Sequence, residues 1–279
     1  MISEGLDSLG NSKMPEGPEC RITTEELNHL MVGKTIEDWV FFGGRYTDTP
    51  PEGYACFDCA LPLVVESVEC KGKFIYFTLR DTDGKAQYIL HSLMMTGRWQ
   101  TEWDKYCKWY LQFDTNETVW FRDPRALGTL RFTDSREVLD RAINRLGPDL
   151  LGSELTVDKL KELCMKYPNR NITSFLMDQQ VMSGCGNYLK SEILYDARIS
   201  PFRKVHSLSE DDRMRLLQAL RTIPRLSYNS RGMTLRDYQN PNGDAGKFQF
   251  SLKVYGRKNM RRTRTADGRT TYWDDNVQH

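Results

Sequence analysis

The segment MPEGPE, residues 14–19, holds the residues best suited to covalent chemistry. Pro15 follows an internal methionine, and two carboxylates, Glu16 and Glu19, stand within the next four positions. Initiator methionine is removed efficiently ahead of a small residue, and proline qualifies. A chain beginning at Pro15 carries a secondary α-amine with a pKa of roughly 8 in peptides. Burial or a nearby cation lowers it, leaving free base at neutral pH. Such an amine could attack a sugar C1′ and form an iminium, with Glu16 and Glu19 close enough to manage protons. The same letters also suit an ordinary turn ahead of a helix, where Pro and Glu are favoured, and local composition alone favours that plainer reading. In the chain as numbered, the Pro15 nitrogen is an amide and not a nucleophile. Two readings stand: the functional chain starts at Pro15, through initiation at Met14 or removal of the tail, or the long form binds without reacting.

Further along, GCGNYLKSE (184–192) sets two glycines before a helix start. That arrangement offers backbone N–H groups to an anion, and Asn187 adds a side-chain donor for a phosphate; a plain Asn-capped helix is the alternative. HSLMMTGRW (91–99) and FRDPRALG (121–128) put Met95 and Arg125 on loops leaving two strands. There an apolar wedge replaces an extruded base and an arginine bonds the orphaned partner; a core methionine and a surface ion pair fit equally. Lys73, in CKGKFIYF, begins a strand and matters only if the other elements converge on it. From Lys253 to Arg269 there are seven Lys or Arg and one acid, Asp267. Asp267-Gly268 between Thr-rich flanks signals a hairpin, whose basic side chains suit phosphates or simply face solvent.

The elements that position these groups fall into two halves. Glu19 to Met31 has helical spacing, with Leu27, Leu30 and Met31 on one face and Gly33 just past the end. DWVFFGGRY, KFIYFTLR, QYILHSLMM, KWYLQF, TVWFRD and TLRF follow as short strands separated by turn residues, which argues a sandwich or barrel up to about Ser135. Residues 136–226 then read as helices: REVLDRAINRL; TVDKLKELCMKY with Thr156 as N-cap; NITSFLMDQQVM; NYLKSEILYDA; and SLSEDDRMRLLQAL with a capping box of Ser207 and Glu210. Residues 229–249 read as a loop. The expected units are a disordered tail at 1–13, a strand-rich domain at 14–135, a helical domain at 136–249 and a hairpin unit at 250–279.

Length and charge narrow the class. The chain has 279 residues and a net charge of +1, which fits one large domain or two ordinary ones and confines any basic surface to a local patch. No apolar run reaches about 18 residues, so no membrane span is expected. The N-terminal MISEGLDSLGNSK lacks the apolar stretch of a secretory signal. Seven scattered cysteines do not form a disulfide framework and point to a reducing compartment, nuclear or cytosolic. Cys56 and Cys59 form one C-x2-C, but Cys70 is the nearest third thiol and no fourth ligand has a usual spacing, so two ordinary thiols are expected rather than a zinc site.

These elements occur in the order of a known family. MPEGPE, the lysine of GKFIYF, MTG, DPRALG, LGPD (146–149), DQQVMSGCGNYLKSEILYDARISP (178–201), VYGRK and DGRTTYW span nearly the whole chain after residue 13. The chain resembles the formamidopyrimidine-DNA glycosylase and endonuclease VIII family of base-excision repair enzymes. That resemblance implies an α+β chain: an N-terminal β-sandwich with a leading helix, a helix-two-turn-helix domain, and a C-terminal hairpin. It implies Pro15 as nucleophile, Glu16 as acid/base group and Glu19 in support. It places Lys73, Asn187, Lys258 and Arg269 on DNA phosphates, and Met95, Arg125 and Leu127 in the gap left by a flipped nucleotide. Leu127 stands where many members carry phenylalanine. Many members end in a four-cysteine zinc finger; no cysteine follows Cys185 here, and DGRTTYW resembles the zincless finger of some endonuclease VIII-like members. No metal or other cofactor is implied. The resemblance implies a monomer acting on damaged DNA, duplex or single-stranded, as a bifunctional glycosylase and lyase that favours oxidised pyrimidines and ring-opened purines; the alternative is a catalytically inactive binder of damaged or abasic DNA.

Overall fold

A computed structural model describes residues 14–233, 241 and 247–279. The tail expected at 1–13 and most of the loop expected at 229–249 lie outside the described residues.

Helix α1 (Gly17–Met31) begins at Glu16, whose backbone N–H donates to Glu19 Oε2 at 2.9 Å in a capping box. It starts two residues before the apolar spacing shows, because Pro18 fits the first turn. Leu27 and Met31 are fully buried, and the Asn28 side chain closes two hydrogen bonds with the backbone of Val68.

Eight strands follow: β1 (Thr35–Phe41), β2 (Leu63–Lys71), β3 (Phe74–Arg80), β4 (Ala86–Ser92), β5 (Arg98–Gln100), β6 (Cys107–Phe113), β7 (Thr118–Arg122) and β8 (Thr129–Thr133). They form one antiparallel sheet in the order β5-β7-β6-β1-β2-β3-β4-β8. β5 stands at one end of that order and β4 near the other, yet the rings of His91 and Trp99 lie 5.6 Å apart. The sheet therefore folds back on itself as a sandwich, filled by Trp39, Trp99, Phe77 and Phe121. β5 and β2 are additions to the six strands read from the sequence, and for β2 the burial pattern gives the reason. Its inward residues shift from Leu63 and Val65 to Val68 and Cys70 across a bulge between Val65 and Ser67, and that break hides the period of two.

The helical half contains α3 (Arg136–Asn144), α4 (Val157–Lys166), α5 (Ile172–Met177), α6 (Asn187–Asp196) and α7 (Glu210–Asn229); a short α2 (Tyr54–Asp58) lies between β1 and β2. Thr156 caps α4 by accepting from Lys159 N–H. Helix α5 stops at Met177, where Asp178 turns extended and its carboxylate takes Arg170 and the backbone of Gln180. The capping box of α7 is Ser209 with Asp212, not Ser207 with Glu210. Both pairs have the right spacing, but Val205–Ser207 is used by a 3-10 turn, and Arg203 and Arg215 fix Asp212. The chain closes with a hairpin, β9 (Arg261–Arg264) and β10 (Thr270–Trp273). Among the described residues no helix is long and apolar enough to cross a membrane.

Candidate active site

Three backbone segments meet at the start of α1 with almost no side chain between them. Gly17 N–H donates to Gly184 O at 2.9 Å. A Cβ on Gly72 would lie 2.4 Å from Gly184 N, and one on Gly184 would lie 3.3 Å from both Gly17 Cα and Gly72 Cα. Side chains at these positions would force apart α1, the β2–β3 turn that carries Lys73, and the turn ahead of α6. Asp149 of LGPD ties the same segments: Oδ2 accepts from Gly72 N–H and Arg21, and Oδ1 from Leu151 N–H.

The anion at the N-terminus of α6 is Glu16. Its Oε1 accepts from Tyr188 N–H at 2.9 Å and its Oε2 from Leu189 N–H at 3.2 Å. Gly186 permits the approach, since a Cβ there would stand 2.2 Å from the Glu16 carboxyl carbon. The glycines of GCGN thus do present N–H groups to an anion, but it is a carboxylate of the chain, and the cap of α6 is Gly186 rather than Asn187. Glu16 is 2% exposed. Burial raises its pKa to about 7, opposed by the charge of Lys73 and by the two backbone bonds, and reinforced by Glu19. A carboxyl so poised can give or take a proton near neutrality.

Glu19 is fully buried behind it. It accepts from Tyr188 Oη, Met233 N–H and Glu16 N–H, and burial raises its pKa. Pro15 is buried, whereas Met14 is partly exposed. Lys73 is close enough for its charge to act on Glu16 and on Cys20.

Helix α6 also gathers the C-terminal elements. Asn187 Nδ2 donates to Thr270 O at 3.0 Å. Ser191 accepts from Tyr272 N–H, and Glu192 takes the backbone N–H groups of Lys253, Val254 and Tyr255. The charges of Glu16 and Arg269 both act on Tyr255, which bonds the Asn187 side chain. Arg269 itself is exposed. Pro15, Glu16, Glu19, Lys73, Asn187 and Arg269 therefore form one neighbourhood. Lys258 lies exposed on the connection from Tyr255 to β9.

Met95, Arg125 and Leu127 form a second cluster on the sandwich loops. Arg125 Nη1 lies 3.3 Å from Met95 Sδ. Asp123, fully buried, organises both loops by accepting from Thr96 Oγ1 and from the backbone N–H groups of Arg125, Leu127 and Gly128. Asp123→Ala leaves those donors unpaired; we expect a loss of about 3 kcal/mol or more, read as a lower midpoint in thermal unfolding. An unchanged midpoint would remove Asp123 from this role. His91, at the head of HSLMMTGRW, is a core residue: its Nδ1 faces Thr129 O, its Nε2 accepts from Trp99 Nε1–H, and burial pushes its pKa down to about 4.

Two family models match the chain. The formamidopyrimidine-DNA glycosylase N-terminal domain covers residues 14–130, and the formamidopyrimidine-DNA glycosylase H2TH domain covers residues 146–238. A formamidopyrimidine-DNA glycosylase of Thermus thermophilus is 33% identical over 254 residues, spanning 88% of this chain and 89% of that protein. This chain belongs to the formamidopyrimidine-DNA glycosylase family. Membership places it among the DNA glycosylases. A Listeria monocytogenes formamidopyrimidine-DNA glycosylase is 30% identical over 251 residues, covering 88% of this chain and 89% of its own. The crystal structure of the T. thermophilus MutM (Fpg) protein superposes with a TM-score of 0.82 at 29% identity, over 95% of this chain and 98% of that one. A Lactococcus lactis Fpg complex with abasic-site DNA shares the fold, with a TM-score of 0.82 at 22% identity over 95% and 99% of the two chains.

No cysteine follows Cys185 in the sequence. All seven cysteines are free, Cys56 and Cys59 lie exposed at α2, and the described residues contain no group of three or more side chains able to hold a metal ion. One contact, between Lys190 and Asp267, is not signalled by the sequence. Their side chains meet at 2.6 Å inside the protein, but they are 77 positions apart, and neither segment signals a partner.

Proposed function

We propose that the protein is a bifunctional DNA glycosylase/lyase that excises oxidised bases through an iminium on the Pro15 nitrogen. The observation that carries this reading is the placement of Glu16: a buried carboxyl with a pKa near 7, one residue from Pro15 and under the charge of Lys73. Damaged DNA, as in the Lactococcus relatives' complexes, lies across the cleft between the sandwich and the helical half. The damaged nucleotide is extruded, at a cost of a few kcal/mol that a weakened pair partly spares, while Met95, Arg125 and Leu127 occupy its place. Asn187, Lys73 and Arg269 hold the adjacent phosphates, with Lys258 at the margin.

The free Pro15 nitrogen attacks C1′ and the C1′–N bond to the base breaks, the departing base receiving its proton through Glu16; the C1′–O4′ bond then opens, O4′ taking up the proton given up by the Pro15 nitrogen, and the nitrogen lone pair closes the N=C1′ double bond. The resulting iminium acidifies the C2′ proton. Its removal expels the 3′ phosphate (β-elimination), and a second elimination releases the 5′ side (δ-elimination). This requires the chain to begin at Pro15, and the N-terminal family model begins its match at Met14. The GGRY segment and the zincless ending favour oxidised pyrimidines and ring-opened purines over 8-oxoguanine.

Matched duplexes carrying an oxidised pyrimidine, a ring-opened purine, 8-oxoguanine or an abasic site test the reading. Strand cleavage at the first two and at the abasic site is expected, with doubly eliminated ends. Cleavage confined to the abasic duplex would reduce the protein to a lyase.

A further inference from the structure

The zincless hairpin needs an anchor, and the structure assigns that task to a buried ion pair. We infer that Lys190 and Asp267 are positioning residues for Arg269: their bond fixes the hairpin turn on α6 and so aims the Arg269 guanidinium at a DNA phosphate. The inference rests on the proposed phosphate contact of Arg269 and explains how that contact is held without metal ligands in the finger.

The geometry carries it. Lys190 Nζ lies 2.6 Å from Asp267 Oδ2, with side-chain exposures of 0% and 3%. An ion pair withdrawn from water this completely does little for net stability; its better-attested use is to specify one arrangement among several. Asp267 sits in the turn itself. Gly268 N–H donates to Thr265 O and Thr265 N–H to Arg269 O, so the turn runs over Thr265–Gly268 with Gly268 in the left-handed region at φ +75° and Asp267 outside it. This is the three-residue loop with a glycine bulge, not the two-residue Asp-Gly turn, in which both residues take positive φ. The consequence is directional: the Asp267 carboxylate turns inward to Lys190, where the Thr265 hydroxyl also donates to it. Arg269, the next residue but one, is exposed.

The remaining contacts of hairpin and helix do not replace the pair. Asn187 holds Thr270 O and Ser191 takes Tyr272 N–H, and both fix β10 along its length. Only Lys190 holds the turn among these α6 contacts. With the pair gone, the turn pivots on β10 and the Arg269 side chain samples many directions, which weakens a charge-assisted bond that depends on aim.

The test is a double-mutant cycle on the full protein, with the equilibrium affinity for an abasic-analogue duplex measured across a salt series. Arg269→Ala is expected to weaken binding about tenfold and to flatten the slope of log affinity against log salt by about one unit, the loss of one phosphate contact. Lys190→Met should reproduce both effects, and adding Arg269→Ala to it should cost less than about a further twofold. Thr265→Val, a milder change that removes the hydroxyl's contacts with Asp267, Arg269 O and Thr271 Oγ1, should move affinity and slope in the same direction by a smaller step; it carries the test alone should Lys190→Met fail to fold. Full additivity with Arg269→Ala, or weakened binding with an unchanged salt slope, makes the pair merely structural and overturns the inference while the phosphate role of Arg269 stands. If Arg269→Ala leaves affinity and slope unchanged, the phosphate contact is wrong and the inference falls with it.

Discussion

A protein whose first residue is Pro15 will be trapped covalently by borohydride on a duplex with one abasic site, and the 279-residue chain with Pro15 internal will not. The expected difference is all or none, because an amide nitrogen has no lone pair to give to C1′, whereas a secondary amine of pKa roughly 8 has a usable free-base fraction at neutral pH. Burial acts on that fraction directly. Pro15 is buried, and burial disfavours the charged ammonium; a cation such as Lys73, whose charge reaches neighbouring Glu16, acts in the same direction, and an ionised Glu16 or Glu19 opposes it. The mature N-terminus of each preparation is to be read by mass spectrometry before trapping. An adduct only from the Pro15-initiated protein establishes the nucleophile. No adduct from a confirmed Pro15 terminus would sink the lyase mechanism and leave a binder of damaged DNA as the better description. That outcome would not touch the phosphate contacts, so binding and its salt dependence would persist.

The second large effect is expected from Glu16→Gln: base excision lost by at least about a hundredfold with DNA affinity within a few fold of the parent. The alkaline limb of the pH profile should disappear with it. Glu16 titrates at about 7, so as proton donor it is about nine-tenths protonated at pH 6 and about one-tenth at pH 8. Excision should therefore fall on the alkaline side through a limb near pH 7 that the Gln variant lacks. Stability carries the same signature. The folded-state pKa lies above the ordinary 4.5, so the folded protein holds the extra proton between the two values. Stability is full below about 4.5 and declines as pH rises through 7, by on the order of 3 kcal/mol for this group. Denaturation midpoints at pH 5 and pH 8 measure it, and the Gln variant should show a smaller difference. Full turnover in Glu16→Gln would reassign the acid/base role, with Glu19 the next candidate behind it.

Much of this protein was legible in the sequence because the signals are local. Thr156 caps α4 by a bond to the residue three positions on, the apolar face of α1 recurs with the helical period, and Asp267-Gly268 marks a turn. Motif order then led from MPEGPE and GCGNYLKSE to a family. Local reading failed where two local solutions were equally good. Ser207 with Glu210 and Ser209 with Asp212 offer the same spacing, and only the 3-10 turn at 205–207 and the arginines on Asp212 decide between them. It failed again at β2, where a bulge interrupts the alternation.

The site's electrostatics belonged to tertiary structure alone. The sequence put a carboxylate beside Pro15 and bare N–H groups ahead of α6. It could not say that these answer each other across more than 170 positions, nor that the resulting burial raises Glu16 to neutrality. Desolvation depends on everything packed around a group, and no spacing rule along the chain encodes it. Lys190 and Asp267 show the same division. By sequence one is a lysine in a helix and the other an aspartate in a turn, both ordinarily solvated. The fold removes both from water, and that removal is what turns two commonplace charges into a single fixed contact.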